Sequence, residues 1–210
     1  MDSATATALL AEHAAARDAL LAGLVDWARA GGHPLWQVGS GSDGTGDEWS
    51  DLDLVLCGAQ PPDTGAALRV VNPTNGLAGH GYVGEAHLAG PLVQWIDWYP
   101  WPVDLPSPAG ARLLTGDGPR GELTLKECLD GYGRGRGAER PDRDTFALAM
   151  IPLAAKYVAR GLSDDAAGMV EMLGGDPDGD PIAELRALIP AGPVAGRVAL
   201  TLDVAGALRA

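Results

Sequence analysis

Basic residues are scarce: 15 Lys and Arg stand against 28 Asp and Glu among 210 residues, a formal net charge of -13. A broad grip on a nucleic-acid backbone needs a cationic face, so nucleic acid is disfavoured as a partner. A neutral or cationic small molecule is the easier one, although the acidity serves solubility equally well. Cysteine is nearly absent. Cys57 and Cys128 lie far apart and outside any CxxC or Cys/His cluster, which argues against a disulfide framework and for a reduced, cytoplasmic protein. His13, His33, His80 and His87 show no metal-ligand spacing, so no zinc site is expected. No apolar run reaches the length of a membrane span, and residues 1–7 lack the basic and apolar parts of a signal peptide, so the protein is expected to stay where it is made. With a single Phe, the aromatic content falls to six Trp and four Tyr, and 30 Gly with 16 Pro indicate a loop-rich chain.

What is present is a change of pattern along the chain. Residues 4–30 carry Leu9, Leu10, Leu20, Leu21, Leu24, Val25 and Ala28 at three- and four-residue steps, which predicts one amphipathic helix ended by Gly31-Gly32 and Pro34. Leu35 to Val38 and Leu52 to Cys57 read as buried strands separated by a polar, Gly-rich segment. Residues 65–71 suggest a short helix, 81–88 and 92–100 a hairpin around Ala89-Gly90-Pro91, and 111–114 a further strand. The composition of 131–142 (GYGRGRGAERPD) marks a flexible boundary. Beyond it, Asp144 can cap a helix over 145–160, and shorter helices are expected at 164–173, 182–188 and 194–208. The expectation is an α+β fold: a small mixed sheet flanked by helices in a catalytic domain over 1–130, then a small helical C-terminal domain over 131–210.

Asp51 and Asp53 are two apart on a predicted strand and so share one face. A rigid carboxylate pair is what hard cations such as Mg²⁺ require. An isolated D-x-D is more often a solvated strand face. This one sits in the apolar run Leu52, Leu54, Val55, Leu56, where charge is costly to bury without a partner. Upstream, Gly39-Ser40 opens a loop with Gly41, Gly44 and Gly46, whose small residues let backbone N–H groups approach a phosphate. Alone, that loop is an ordinary turn.

Together, residues 39–54 (GSGSDGTGDEWSDLDL) form G-S-x3-G-x5-S-D-x-D-L after a strand, and this resembles the signature of the nucleotidyltransferase superfamily that includes DNA polymerase beta and the antibiotic nucleotidyltransferases. The resemblance implies that Gly39 and Ser40 grip the β- and γ-phosphates of a nucleoside triphosphate, that Asp51 and Asp53 bind two Mg²⁺ ions, and that Ser50 is their structural companion. It also implies a third carboxylate on a later strand. Asp97, the one acid in Val93 to Tyr99 (VQWIDWY), fits that position. If Leu88 faces Leu92 in the hairpin, Val83 opposes Asp97 and Glu85 lies diagonal to it, which makes Glu85 or His87 candidates to accept the acceptor-hydroxyl proton, with Asp97 itself the competing base. A one-residue slip would remove Glu85 from that face.

Lys156 and Arg160 lie one turn apart on the predicted 145–160 helix. The segment IPLAAKYVARG (151–161) is similar to the helix that helps bind triphosphate in antibiotic-modifying members. Asp43 departs from the pattern, standing where many relatives carry a basic residue, so Lys156 becomes the expected balance for phosphate charge. Trp95 and Tyr99 alternate onto the Asp97 face and, with His87, are acceptor-pocket candidates.

In length and helical tail the chain looks most like lincosamide and aminoglycoside nucleotidyltransferases. The resemblance therefore implies Mg²⁺-dependent transfer of a nucleoside monophosphate from a triphosphate, ATP being the expected donor, to a hydroxyl of an antibiotic or related small molecule, with antibiotic resistance as the biological setting. Many relatives dimerise to complete each site, so a homodimer is carried with it. Competing readings are a nucleotidyltransferase that modifies a protein or tRNA, as in a toxin-antitoxin pair, and an inactive nucleotide-binding module.

Overall fold

In the computed structural model, which describes residues 1–137 and 141–209, the chain is a mixed α+β structure built on one six-stranded sheet. It opens with α1 (Ser3–Gly31), started by Asp2, whose side chain accepts from the Thr5 N–H, and closed by Gly32 at φ 69°. That left-handed backbone suits glycine because no Cβ collides. Strands β1 (Leu35–Val38) and β2 (Leu52–Cys57) follow, separated by the short helix α2 (Ser40–Asp43). β3 (Leu68–Val71), β4 (Val83–His87), β5 (Gln94–Trp101) and β6 (Arg112–Thr115) complete the sheet in the order β3-β4-β5-β2-β1-β6. Among the described strands, only the central β2-β5 pair is parallel.

The helices α3 (Leu125–Tyr132), α4 (Arg143–Ala159), α5 (Ser163–Leu173), α6 (Pro181–Ala187) and α7 (Ala195–Leu208) form the C-terminal part. No described helix is long and apolar enough to cross a membrane. At 29 residues, α1 runs about 44 Å and serves two layers. Its first turns place Ala6 and Leu10 in a core shared with Ala154, Val198 and Leu202 of the C-terminal helices. Its last turns place Leu24 and Ala28 on the back of the sheet against Leu54, Leu56, Ile96 and Trp98. The front of the sheet carries a third core in which Trp36, Val55 and Trp101 meet Leu129 of α3. The helical core also takes in Trp49, Ala86 and Trp95, so apolar packing runs continuously across residue 130.

Four local expectations are corrected. Residues 68–71 pair with β4 as a strand rather than forming a helix, because that edge offers them a full ladder from Leu68↔Ala86 to Val71↔Val83. α4 is capped by Asp142, not Asp144: the Asp142 carboxylate accepts from the Thr145 N–H at 2.9 Å. The segment expected to be flexible over 131–142 begins inside α3, while its residues 138–140 lie outside the described residues. α3 starts with a capping box in which Thr124 and Glu127 exchange bonds, a T-x-x-E signal present in the sequence.

The fourth correction moves functional residues. β4 and β5 pair with Gly84↔Asp97 and Glu85↔Ile96, one residue away from the expected register. Leu92 and Val93 are buried in the helical core instead of extending the hairpin. Arg197 of α7 donates to the carbonyls of Gly90 and Pro91 at 3.0 and 2.7 Å, fixing the turn. A slip of one residue turns every side chain over. Glu85 therefore lies on the back of the sheet, fully buried, where it accepts bonds from Thr64 Oγ1 and Trp98 Nε1 at 2.8 and 3.0 Å and lies 3.3 Å from His87 Nε2. Burial pushes its pKa up, but the bonds from His87, Thr64 and Trp98 and the Arg69 charge prevail and hold it below the usual range. His87 shares that face, away from Asp97. Replacing a buried carboxylate that accepts from Thr64 and Trp98 and pairs with Arg69 by its amide leaves donors mismatched, so Glu85→Gln is expected to lower unfolding free energy by about 1–3 kcal/mol in urea titration.

Candidate functional site

Three acids meet at the upper edge of the parallel pair. Asp53 and Asp97 are direct partners across β2 and β5, so their backbones stand about 4.8 Å apart and their side chains point to the same front face. Asp51 precedes β2 by one residue and, two positions from Asp53, falls on that face as well. Val38 faces Asp53 from the other side, which places the β1-to-α2 turn beside the carboxylate. Gly39 makes this turn at φ 66°, and a Cβ there would come within 2.6 Å of Asp53 Oδ2. Glycine is thus demanded twice, by backbone angle and by contact.

The loop after Gly39 is held by its own hydroxyls. Ser40 Oγ donates to Ser50 Oγ at 3.2 Å, and Ser50 Oγ donates to Asp47 Oδ1 while accepting from the Asp47 N–H, both at 3.0 Å. Two helices clamp it. Arg160, the C-cap of α4, forks onto Asp47 through Nε and Nη2 at 2.8 and 2.6 Å, and Arg17 of α1 donates to the carbonyls of Asp47 and Ser50 at 2.8 and 3.3 Å. Burial would raise the Asp47 pKa, but the Arg160 pair and the Ser50 and Trp49 donors hold it below the usual carboxylate range. One turn before Arg160, the Lys156 ammonium bonds to Asp51 Oδ1 and is 3% exposed. The two expected phosphate-binding cations are thus brought to the motif, both already paired with its acids.

Asp97 Oδ1 accepts from the Tyr82 hydroxyl and, at 2.8 Å, from Trp95 Nε1. Gly84 makes the arrangement feasible: a Cβ there would lie 2.4 Å from Trp95 and 2.7 Å from the Tyr82 hydroxyl. Tyr82 also packs on Tyr99, with ring centroids 5.5 Å apart. Burial first, then the Asp97 charge, pushes both tyrosine hydroxyls well above their ordinary pKa, so they remain donors. Sequence reasoning missed Tyr82, Asp47 and Arg17. The true register would have found Tyr82, which then falls opposite Tyr99.

Electrostatically the cluster sets one cation, Lys156, against three acids. Burial, followed by the Asp97 and Asp51 charges, raises Asp53 to about 8. Asp97 is raised by burial and by Asp51 despite its two donors. A donor set of carboxylate oxygens, with a proton pressed onto one of them, fits a hard divalent cation. Yet among the described residues no three acid, His or Cys side chains are gathered as metal ligands, and Asp51 is held by Lys156 instead.

Asp51 lies between two hollows. One, of about 370 Å³, is floored by Tyr82, Trp95 and Tyr99, walled by Met150 and Leu153 of α4, and reaches Asp97 and Lys156. The other, of about 190 Å³, is lined by Ser40, Gly41, Gly46 and Ser50 of the loop with Arg17. Trp95 and Tyr99 thus occupy the face expected of them, whereas Glu85 and His87 do not. No protein-family model matches the chain, and no curated protein matches it significantly.

His13 of α1 is a buried neighbour of this network. It is 2% exposed, and its Nδ1 has no hydrogen-bond partner among the described residues. Burial, then the Lys156 and Arg17 charges, lowers its pKa from 6.5 to about 4. The unfolded chain then takes up a proton near 6.5 and the folded chain only near 4, so the stability His13 permits at neutral pH is lost as pH falls through that window. Between those limits wild type is expected to lose about 3 kcal/mol more than His13→Leu, read from denaturant midpoints at each pH. Parallel profiles for the two proteins would contradict it.

Proposed function

We propose that the chain is a metal-dependent nucleotidyltransferase acting on a small hydroxylated acceptor. The observation that carries this reading is the side-by-side placement of Asp53 and Asp97 on parallel strands, with Asp51 beside them and the Gly39-Ser40 turn pressed against Asp53. In this reading Asp51, Asp53 and Asp97 would hold two Mg²⁺ ions, which would supply charge to offset what develops on the α-phosphate and on the departing pyrophosphate. The Gly39-Ser40 turn and the N–H groups of α2 face the phosphates, with Ser50 and Asp47 keeping the loop in shape. Asp97 then stands where an acceptor hydroxyl approaches and takes its proton. Tyr82 and Trp95 fix the orientation of that carboxylate. Catalysis comes from holding the hydroxyl in line with the α-phosphorus and from charge set in place beforehand.

A small-molecule acceptor is favoured over a protein or tRNA by the hollow of about 370 Å³ beside Asp97, whose aromatic floor and apolar wall match sites that enclose one compact ligand. The acidic balance of the chain points away from tRNA in the same sense. Antibiotics of the aminoglycoside and lincosamide classes are the acceptors to try first. ATP, GTP, CTP and UTP, each labelled on the α-phosphate, should be incubated with Mg²⁺ and such a panel, and label should move to an acceptor with release of pyrophosphate. Asp53→Asn is expected to lower that transfer by roughly a thousandfold or more while the fold, followed by circular dichroism, persists. Full activity in this variant would remove Asp53 from the chemistry.

A further inference from the structure

We infer that Lys156 stands in for a metal ion at Asp51, so that divalent cation and triphosphate can enter this site strongly only as a pair. The inference rests on the nucleotidyltransferase reading and concerns the order in which its charges assemble.

Lys156 is one of only two lysines in the chain, the other being Lys126. It is 3% exposed, carried on the fourth helix, and its ammonium is bonded to Asp51 Oδ1. From the first helix His13 and Arg17 face it, the first neutral and the second engaged with the carbonyls of Asp47 and Ser50. Asp53 and Asp97 lie on its other side. One turn on, Arg160 is forked onto Asp47. Residues 47 and 51 are four apart, as are 156 and 160, so two parallel ion pairs join the loop to one helix face.

A divalent ion that takes Asp51 must displace the ammonium. Freed, Lys156 is a buried cation beside a dication, and the other acids near it, Asp53 and Asp97, belong to the same cluster that the dication occupies, which costs heavily at low dielectric. A triphosphate arriving alone meets three carboxylates and finds the lysine occupied. When both arrive, the metal takes Asp51 and the phosphate oxygens take Lys156, and every charge keeps a partner. Each ligand thereby raises the other's affinity, as reciprocity requires.

The test uses the full chain. Mn²⁺ alone is titrated by electron paramagnetic resonance into wild type, Lys156→Met and Lys156→Arg. Lys156→Met should bind Mn²⁺ roughly tenfold more tightly than wild type, and Lys156→Arg like wild type. Equal affinity for Mn²⁺ in wild type and Lys156→Met would overturn the inference. If Lys156→Met does not fold, wild type decides the matter: with ¹³C-labelled lysine it gives two ε-methylene signals. Mg²⁺ and tripolyphosphate together should shift the Lys156 signal, and each alone should leave it in place. A signal unmoved by the pair, or moved fully by Mg²⁺ alone, contradicts the inference. Failure of the wider reading looks different: no protein, Lys156→Met included, would bind Mn²⁺, and no triphosphate would bind with Mg²⁺ present.

Discussion

Two carboxylates facing each other from neighbouring strands cannot both stay ionised in a buried setting unless positive charge is brought to them. Asp53 and Asp97 are in that position because the parallel β2-β5 pair sets them at the same level. Much of the surrounding architecture reads as a response. Tyr82 and Trp95 donate to Asp97, Lys156 neutralises Asp51, and Arg160 and Arg17 hold the loop that runs between Ser40 and Asp51. What is left over appears as a proton on Asp53, whose pKa rises to about 8. Such a cluster lowers the stability of the free protein.

The long α1 makes the arrangement rigid. Its C-terminal half backs the strands that carry the acids, and its N-terminal half packs on α7, which packs in turn on α4, the helix that carries Lys156 and ends at Arg160. Acids and cations are thereby referenced to one element, so the spacing between them does not depend on a flexible connection. The same packing shapes the cavity beside Asp97, whose floor belongs to the sheet and whose wall belongs to α4.

Strands β1 and β2 and most helix limits were legible in the sequence because local signals agree there: an apolar run, a glycine at the turn, a cap. The D-x-D pair could be placed on one face from period-two alternation alone, and Asp97 from being the one acid in its strand. The hairpin register was not legible. It is decided by Arg197 and by the burial of Leu92 and Val93 against α7, contacts more than a hundred residues apart in the chain. That single residue of slip sent Glu85 and His87 to the back of the sheet and brought Tyr82 to the front. Lys156 was legible as a cation on the right helix. Its pairing with Asp51 depends on how α4 docks, which no local pattern encodes.

In the proposed reading, Asp51, Asp53 and Asp97 together take up divalent metal in the company of a nucleoside triphosphate. Anomalous diffraction from crystals grown with Mn²⁺ and a non-hydrolysable triphosphate tests it most directly. Manganese peaks are expected within coordination distance of Asp51, Asp53 and Asp97, with the phosphates over the Gly39-Ser40 turn. Manganese absent from all three aspartates, or triphosphate bound away from that turn, would contradict it.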